Sequence, residues 1–163
     1  MSKKKPTLIL PDKLSELLKW ALADLSRVEK DPTYRIDMSD WHRPGYTNTP
    51  RKAPEKVCYV CLAGAVMTRA CKPEHNIYPD EFEQPVRKKL IALDYVRSGN
   101  ILSCCSVFFS EDEAGKEKFK RVYAQLELLF RLNDKPYCAY QKSRRQFKTY
   151  VRSVIKILEK VGL

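Results

Sequence analysis

Two groups of residues in this chain have types and spacings that can do chemistry. The first is basic. From Lys135 to Leu163 the cations are Lys135, Lys142, Arg144, Arg145, Lys148, Arg152, Lys156 and Lys160 against Glu159 alone, a net +7 out of the +11 carried by all 163 residues. Arg144, Lys148, Arg152, Lys156 and Lys160 recur every fourth residue, so a helix would carry them as one basic ridge. Like charges at this spacing oppose helix formation by roughly a few tenths of a kcal/mol per pair, a cost that a phosphate partner removes. Tyr137, Tyr140, Phe147 and Tyr150 are interleaved with them. Exposed aromatics stack on bases, but Phe147 and Tyr150 fall on the apolar stripe of the same helix, which leaves Tyr137 and Tyr140 for that role. The expected interface is therefore Lys142, Arg144, Arg145, Lys148, Arg152, Lys156, Lys160, Tyr137 and Tyr140, facing nucleic acid or a nucleotide. None of the usual RNA- or DNA-reading fingerprints is present, so backbone charge, shape or a small anionic ligand would be recognised. The alternative for the same residues is a solvated, solubilising face.

The second group is Cys58-x2-Cys61-x9-Cys71-x3-His75, one of the ligand sets a tetrahedral zinc accepts. Against zinc stands the apolar run Leu62 to Met67 between the pairs, which belongs in a core, so these cysteines read first as buried small apolar residues, as do the adjacent Cys104 and Cys105. No metal or other cofactor is expected, with a small zinc-binding protein as the second alternative. A nucleophilic use of Cys58 requires a helix N-terminus to lower its pKa and His42 as base. No orienting partner or oxyanion motif accompanies that pair, so no enzymatic activity is expected. Asp37, Asp40, Glu111, Asp112 and Glu113 read as caps and loop anchors.

The elements that must position these residues follow from composition and periodicity. Apolar residues make up 44% and charged ones 31% of the chain, and only five glycines are present. That suits a mainly α fold: a single compact domain of about five helices over residues 1–163, with residues 1–10 flexible. Leu14, Leu17, Leu18, Ala21, Leu22, Leu25 and Val28 predict an amphipathic helix stopped at Asp31-Pro32. Residues 32–56 lose all periodicity and read as a long, partly ordered loop anchored by Ile36, Met38 and Trp41. Val57 to Cys71 is apolar around its circumference and reads as a buried central helix, with Ala63, Gly64 and Ala65 admitting the close approach of another backbone. Further helices are expected over about 84–98, from the capping box Ser110-Glu-Asp-Glu113 through Phe130, and from Gln141 to Leu163. Ile101 to Phe109 reads as either a short strand pair or a buried helix. The most apolar stretch, Val57 to Met67, spans 11 residues, too few for a membrane helix. With no export signal and cysteines too sparse for a disulfide scaffold, a reduced cytoplasmic setting and no membrane partner are expected. Oligomeric state is not legible.

Asp37-Met-Ser-Asp-Trp41-His42, a loop, and then Cys58-Tyr-Val-Cys61-Leu-Ala-Gly64-Ala-Val-Met67 resembles a pattern in small proteins of phages and their bacterial hosts: Met-x-x-Trp followed by Cys-x-x-Cys-x-Ala-Gly. Leu90-Ile-Ala-Leu93-Asp-Tyr-Val-Arg-Ser-Gly99 is similar to a later segment there. The resemblance covers about a third of the chain and brings no activity with it. It implies a phage-type accessory protein of the host cytoplasm, with Met38 and Trp41 covering the buried helix. The function expected from the basic helix is thus non-enzymatic nucleic-acid or nucleotide binding. The rival is a protein-interaction inhibitor acting in host takeover or as a defence antagonist, its basic face on an acidic host surface.

Overall fold

A computed structural model describes residues 6–50, 52–109, 111–132 and 139–163. Among them are six α-helices and one three-stranded sheet, a compact mainly-α fold with a short strand group. The chain divides into two compact units, residues 1–10 with 20–91, and residues 11–19 with 92–163. The boundary cuts two helices, α1 (Leu14–Val28) after Lys19 and α3 (Gln84–Arg97) after Ile91.

The first unit is built on the sheet, which has the order β1-β3-β2: β1 (Tyr34–Ile36) runs parallel and β2 (His42–Tyr46) antiparallel to the central β3 (Lys56–Val60). Both edge strands lie in the segment expected to be a loop. Their shortness hides any period of two, and Pro44 with Gly45 signals a turn where there is a strand. Pro44 is tolerated because it faces Cys58 across the antiparallel pair on an edge strand, where its missing N–H is not needed by β3. The expected helix over Val57 to Cys71 is also corrected. Its first half is β3, and only Leu62–Met67 forms the helix α2. An unbroken apolar run cannot distinguish a buried strand from a buried helix, and here β-branched and aromatic residues precede the small ones. The switch falls at Cys61, whose backbone is extended (φ −88°, ψ −168°) and whose Sγ accepts the Gly64 N–H at 3.4 Å, capping α2. All six residues of α2 are buried. Gly64 is required: a Cβ built there would lie 1.6 Å from the Trp41 carbonyl oxygen. The close approach expected of Ala63-Gly64-Ala65 is thus made by the chain entering β2, and Met38 just before it is buried.

In the second unit the ambiguous Ile101–Phe109 segment begins as a helix, α4 (Ile101–Ser106), capped by Asn100 accepting the Ser103 N–H. Among the described residues no strand pair forms there. Gly99, with φ 78°, supplies the left-handed residue that ends α3. Ser110 of the expected capping box lies outside the described residues. Asp112 accepts the Gly115 N–H at 2.7 Å at the start of α5 (Glu113–Leu132). The last helix, α6 (Arg144–Lys160), starts three residues later than expected, at the cap Ser143, which accepts the Gln146 N–H. Phe147, Tyr150, Val151, Val154, Ile155 and Leu158 are its buried face. Ile155 thus replaces Ile157 and Val161, which are half-buried. No helix among the described residues is long and apolar enough to cross a membrane.

Candidate functional site

Only part of the basic set of α6 stands opposite its core face, and it does not form one straight ridge. Each four-residue step on an α-helix advances about 40°, so the row from Arg144 to Lys160 winds through about 160°. Lys148 falls beside Ile155 at the border of the apolar face and is half-buried, whereas Arg144, Arg152, Lys156 and Lys160 are exposed. Arg145, off the four-residue row, shares an arc of about 40° with Arg152 and Lys156 and is exposed as well. Lys142 is exposed just before the helix. The only carboxylate of α6, Glu159, lies next to this arc and is taken up by Lys19 Nζ at 2.6 Å. The same ammonium also pairs with Glu16 at 2.7 Å, so Lys19 is shared between the two carboxylates. What the helix presents is a short patch centred on Arg145, Arg152 and Lys156, with Lys142 and Lys160 around it, while Arg144 stands at the phase of Val151 and Ile155 and is exposed only at the helix start.

The aromatic part of the expected interface is corrected. Tyr140 is buried, packed edge-on against Phe147 with ring centroids 5.8 Å apart, and Arg144 lies 5.5 Å over its ring. It orients Arg144 and has no open face for a base. Tyr137, with Lys135, lies outside the described residues.

Cys58, Cys61, Cys71, Cys104 and Cys105 are all buried, as expected of small apolar core residues, and the first three take neither the zinc form nor the nucleophilic one. Cys58 does not sit at a helix N-terminus; it is in the middle of the central strand, diagonally across from His42 in the antiparallel register. That register brings the two side chains together, Cys58 Sγ lying 3.5 Å from His42 Nδ1 and 3.7 Å from Nε2. His42 Nδ1–H donates to the His75 carbonyl at 2.8 Å, which leaves Nε2 as the acceptor facing the thiol. Both residues are buried. Burial pushes the Cys58 thiol up to about 12 and lowers the His42 pKa, so the pair is held as neutral thiol and neutral imidazole. An activated thiolate–imidazolium pair needs the opposite shifts. Burial likewise pushes Cys71 to about 11 and Cys105 to about 12. Cys61 is engaged as the cap of α2, and among the described residues no three His, Cys, Asp or Glu side chains converge as a metal-holding group. Cys58, Cys61, Cys71 and His75 are therefore not brought together as a zinc site. Three of the acidic residues act as caps or loop anchors, in keeping with their sequence reading: Asp37 accepts the Ser39 N–H, Asp40 accepts two bonds from Arg43, and Asp112 accepts the Gly115 N–H, whereas Glu113 makes only an exposed pair with Lys116.

A second charged cluster, in the first unit, lies outside every motif read from the sequence. Asp24 is buried, 3% exposed, and accepts from Arg69 Nε–H at 2.6 Å, with Arg27 Nη2 3.5 Å from its other oxygen. Arg27 Nη2–H also donates to Thr68 Oγ1 at 2.5 Å, and the Arg69 guanidinium lies 4.0 Å over the Trp20 ring. Ala23, Asp24, Arg27, Thr68 and Arg69 line an open depression of about 580 Å³. The available signal was Asp24 itself, which stands at a core phase of α1, three residues after Ala21 and seven after Leu17. A carboxylate on a buried stripe requires partners.

No family model, curated protein or solved structure matches the chain.

Proposed function

We propose that this protein binds nucleic acid without sequence preference, through phosphate contacts on the solvent face of α6. One observation carries the reading: α6 is buried along one side, while the opposite side presents Arg145, Arg152 and Lys156 within one arc, flanked by Lys142 and Lys160, with its one carboxylate, Glu159, engaged by Lys19. Arginine forks suit phosphate oxygens, and a helix holds them at fixed separations along a backbone. With Tyr140 in the core, the described part of this face offers charge without an aromatic platform, which favours the phosphate backbone as the group recognised. On this reading the protein is non-enzymatic, and the resemblance noted above supports a phage-type accessory role in a host cytoplasm.

The test is binding of labelled single-stranded RNA and duplex DNA by the parent and by the triple variant Arg145→Gln, Arg152→Gln, Lys156→Gln between about 50 and 200 mM salt, the range over which phosphate contacts dominate affinity. The parent should lose affinity steeply with salt. The variant should bind more weakly, with a slope flatter by about 0.7 to 0.9 per lost contact. Folding should change by no more than about 0.5 kcal/mol per substitution, since these side chains are exposed. Equal affinity and equal slope for parent and variant would refute the interface. A parent that retains no nucleic acid, yet captures the same acidic proteins from host lysate with and without nuclease, would instead assign the face to protein inhibition.

A further inference from the structure

We propose that Arg27 and Arg69 form a binding site for a phosphoryl group, separate from the α6 face and independent of the reading given to it. Hydrogen-bonding capacity points to it first. A guanidinium has five N–H donors. Arg69 uses Nε–H on Asp24, and its two terminal nitrogens have no protein partner among the described residues. Arg27 uses Nη2 on Asp24 and Thr68, which leaves Nε and Nη1 in the same condition. The two side chains, Arg69 and Arg27, are 36% and 48% exposed, so these donors reach the solvent in the depression they line.

Three features make this a formed site instead of two surface arginines. Asp24 is fixed by burial and anchors Arg69 by a short charge-assisted bond. The Trp20 ring beneath Arg69 holds the guanidinium plane. The Thr68 hydroxyl donates to the Ala65 carbonyl at 2.6 Å, which aims its lone pairs at Arg27. The donors are therefore oriented before any ligand arrives, and less side-chain entropy is lost on binding. One carboxylate against two guanidinium groups leaves one net positive charge, which selects an anion. A phosphoryl group offers three oxygens to two separately held forks, and arginine forks match that geometry. The depression, at about 580 Å³, falls within the range of small-molecule sites and leaves room beyond the phosphoryl group for the alcohol portion of an ester.

The experiment follows the Trp20 indole N–H and the Arg69 Nε–H resonances by NMR while the whole protein is titrated with inorganic phosphate, adenosine 5′-monophosphate and adenosine. Phosphate and the monophosphate should both give saturable shifts at these two groups, and adenosine none. Equal affinities would identify the phosphoryl group as the whole determinant, and a tighter monophosphate would place the rest of a nucleotide in the depression; both support the site. Arg27→Gln, which leaves the Asp24–Arg69 bond in place, should weaken both ligands about tenfold, the loss expected for one charge-assisted contact. The α6 triple variant should leave the titration unchanged, so failure here and failure of the α6 reading are separable. If phosphate moves neither resonance up to about 20 mM, well into the weakest useful affinity range, the two arginines only neutralise Asp24 and the proposal is overturned. An Arg27→Gln protein that binds as tightly as the parent overturns it as well.

Discussion

At the scale of single residues, Gly64 shows most directly how the sequence constrains the fold. Its neighbours Ala63 and Ala65 announce a close approach, and that much is legible. The group that approaches, the Trp41 carbonyl, is not, because nothing in residues 32–56 reveals that the chain turns into a strand at His42. The same missing register hides the contact between Cys58 and His42, since the two become neighbours only when β2 pairs with β3. A substitution at Gly64 tests the packing. Gly64→Ala puts a methyl group 1.6 Å from a backbone oxygen, which no rotamer can relieve. The expected loss is about 3 kcal/mol or more, at the upper end of overpacking costs. Gly162→Ala is the control: its φ is +79° and nothing lies within 4 Å, so only backbone strain of about 1 kcal/mol applies. Urea unfolding of both variants measures the difference, and equal midpoints would mean that the Trp41–Gly64 approach is not what holds α2 in place.

Among the elements, legibility follows period and length. Helices α1, α3 and α6 repeat apolar residues at three and four positions over at least 14 residues each, and their expected spans agree with the structure to within a few residues. The sheet has strands of three and five residues, too short to establish alternation, and its central strand has buried residues on both faces, so it reads as a continuous run. Of the candidate interface, the charged side of α6 is legible because it is the complement of the core stripe. The burial of Tyr140 is not, because it depends on packing against Phe147 across the cap. That cap yields a prediction about α6 as a unit. Ser143 Oγ accepts the Gln146 N–H at 3.2 Å, and Ser143→Ala removes the bond at the start of a helix that carries seven cations over Arg144–Lys160 counted with its N-terminal Lys142. The expected cost is about 1 kcal/mol. Ser143→Asp should restore or exceed the parent, since a carboxylate both caps and complements the N-terminal dipole. Thermal unfolding of the two variants would decide this, and an alanine variant as stable as the parent would show that the cap is dispensable.

For the whole molecule, the buried titratable groups set a pH window that the net charge of +11 would not suggest. On the acid side the group is His42, whose pKa burial lowers beneath its ordinary value near 6.5. The unfolded chain therefore takes up a proton that the folded chain resists, and stability is lost as pH falls through 6.5 toward the folded value. On the alkaline side Cys58 and Cys105 are pushed to about 12 and Cys71 to about 11, from ordinary values near 9. The unfolded chain releases these protons first, so the stability they contribute is fully present below 9 and is lost as pH rises toward 11 to 12. A plateau between about 6.5 and 9 is expected, and its two limbs should differ in origin. His42 belongs to the unit that contains the sheet, whereas Cys105 belongs to the other unit and contributes only to the alkaline limb. Urea unfolding under reducing conditions from pH 5 to 10 measures the window. His42→Gln, which keeps a side-chain hydrogen-bonding group but cannot titrate, should be less stable than the parent at pH 7.5 and should lose the part of the acid slope near pH 6. An unchanged slope in that variant would place the acid sensitivity in carboxylates instead of the buried imidazole.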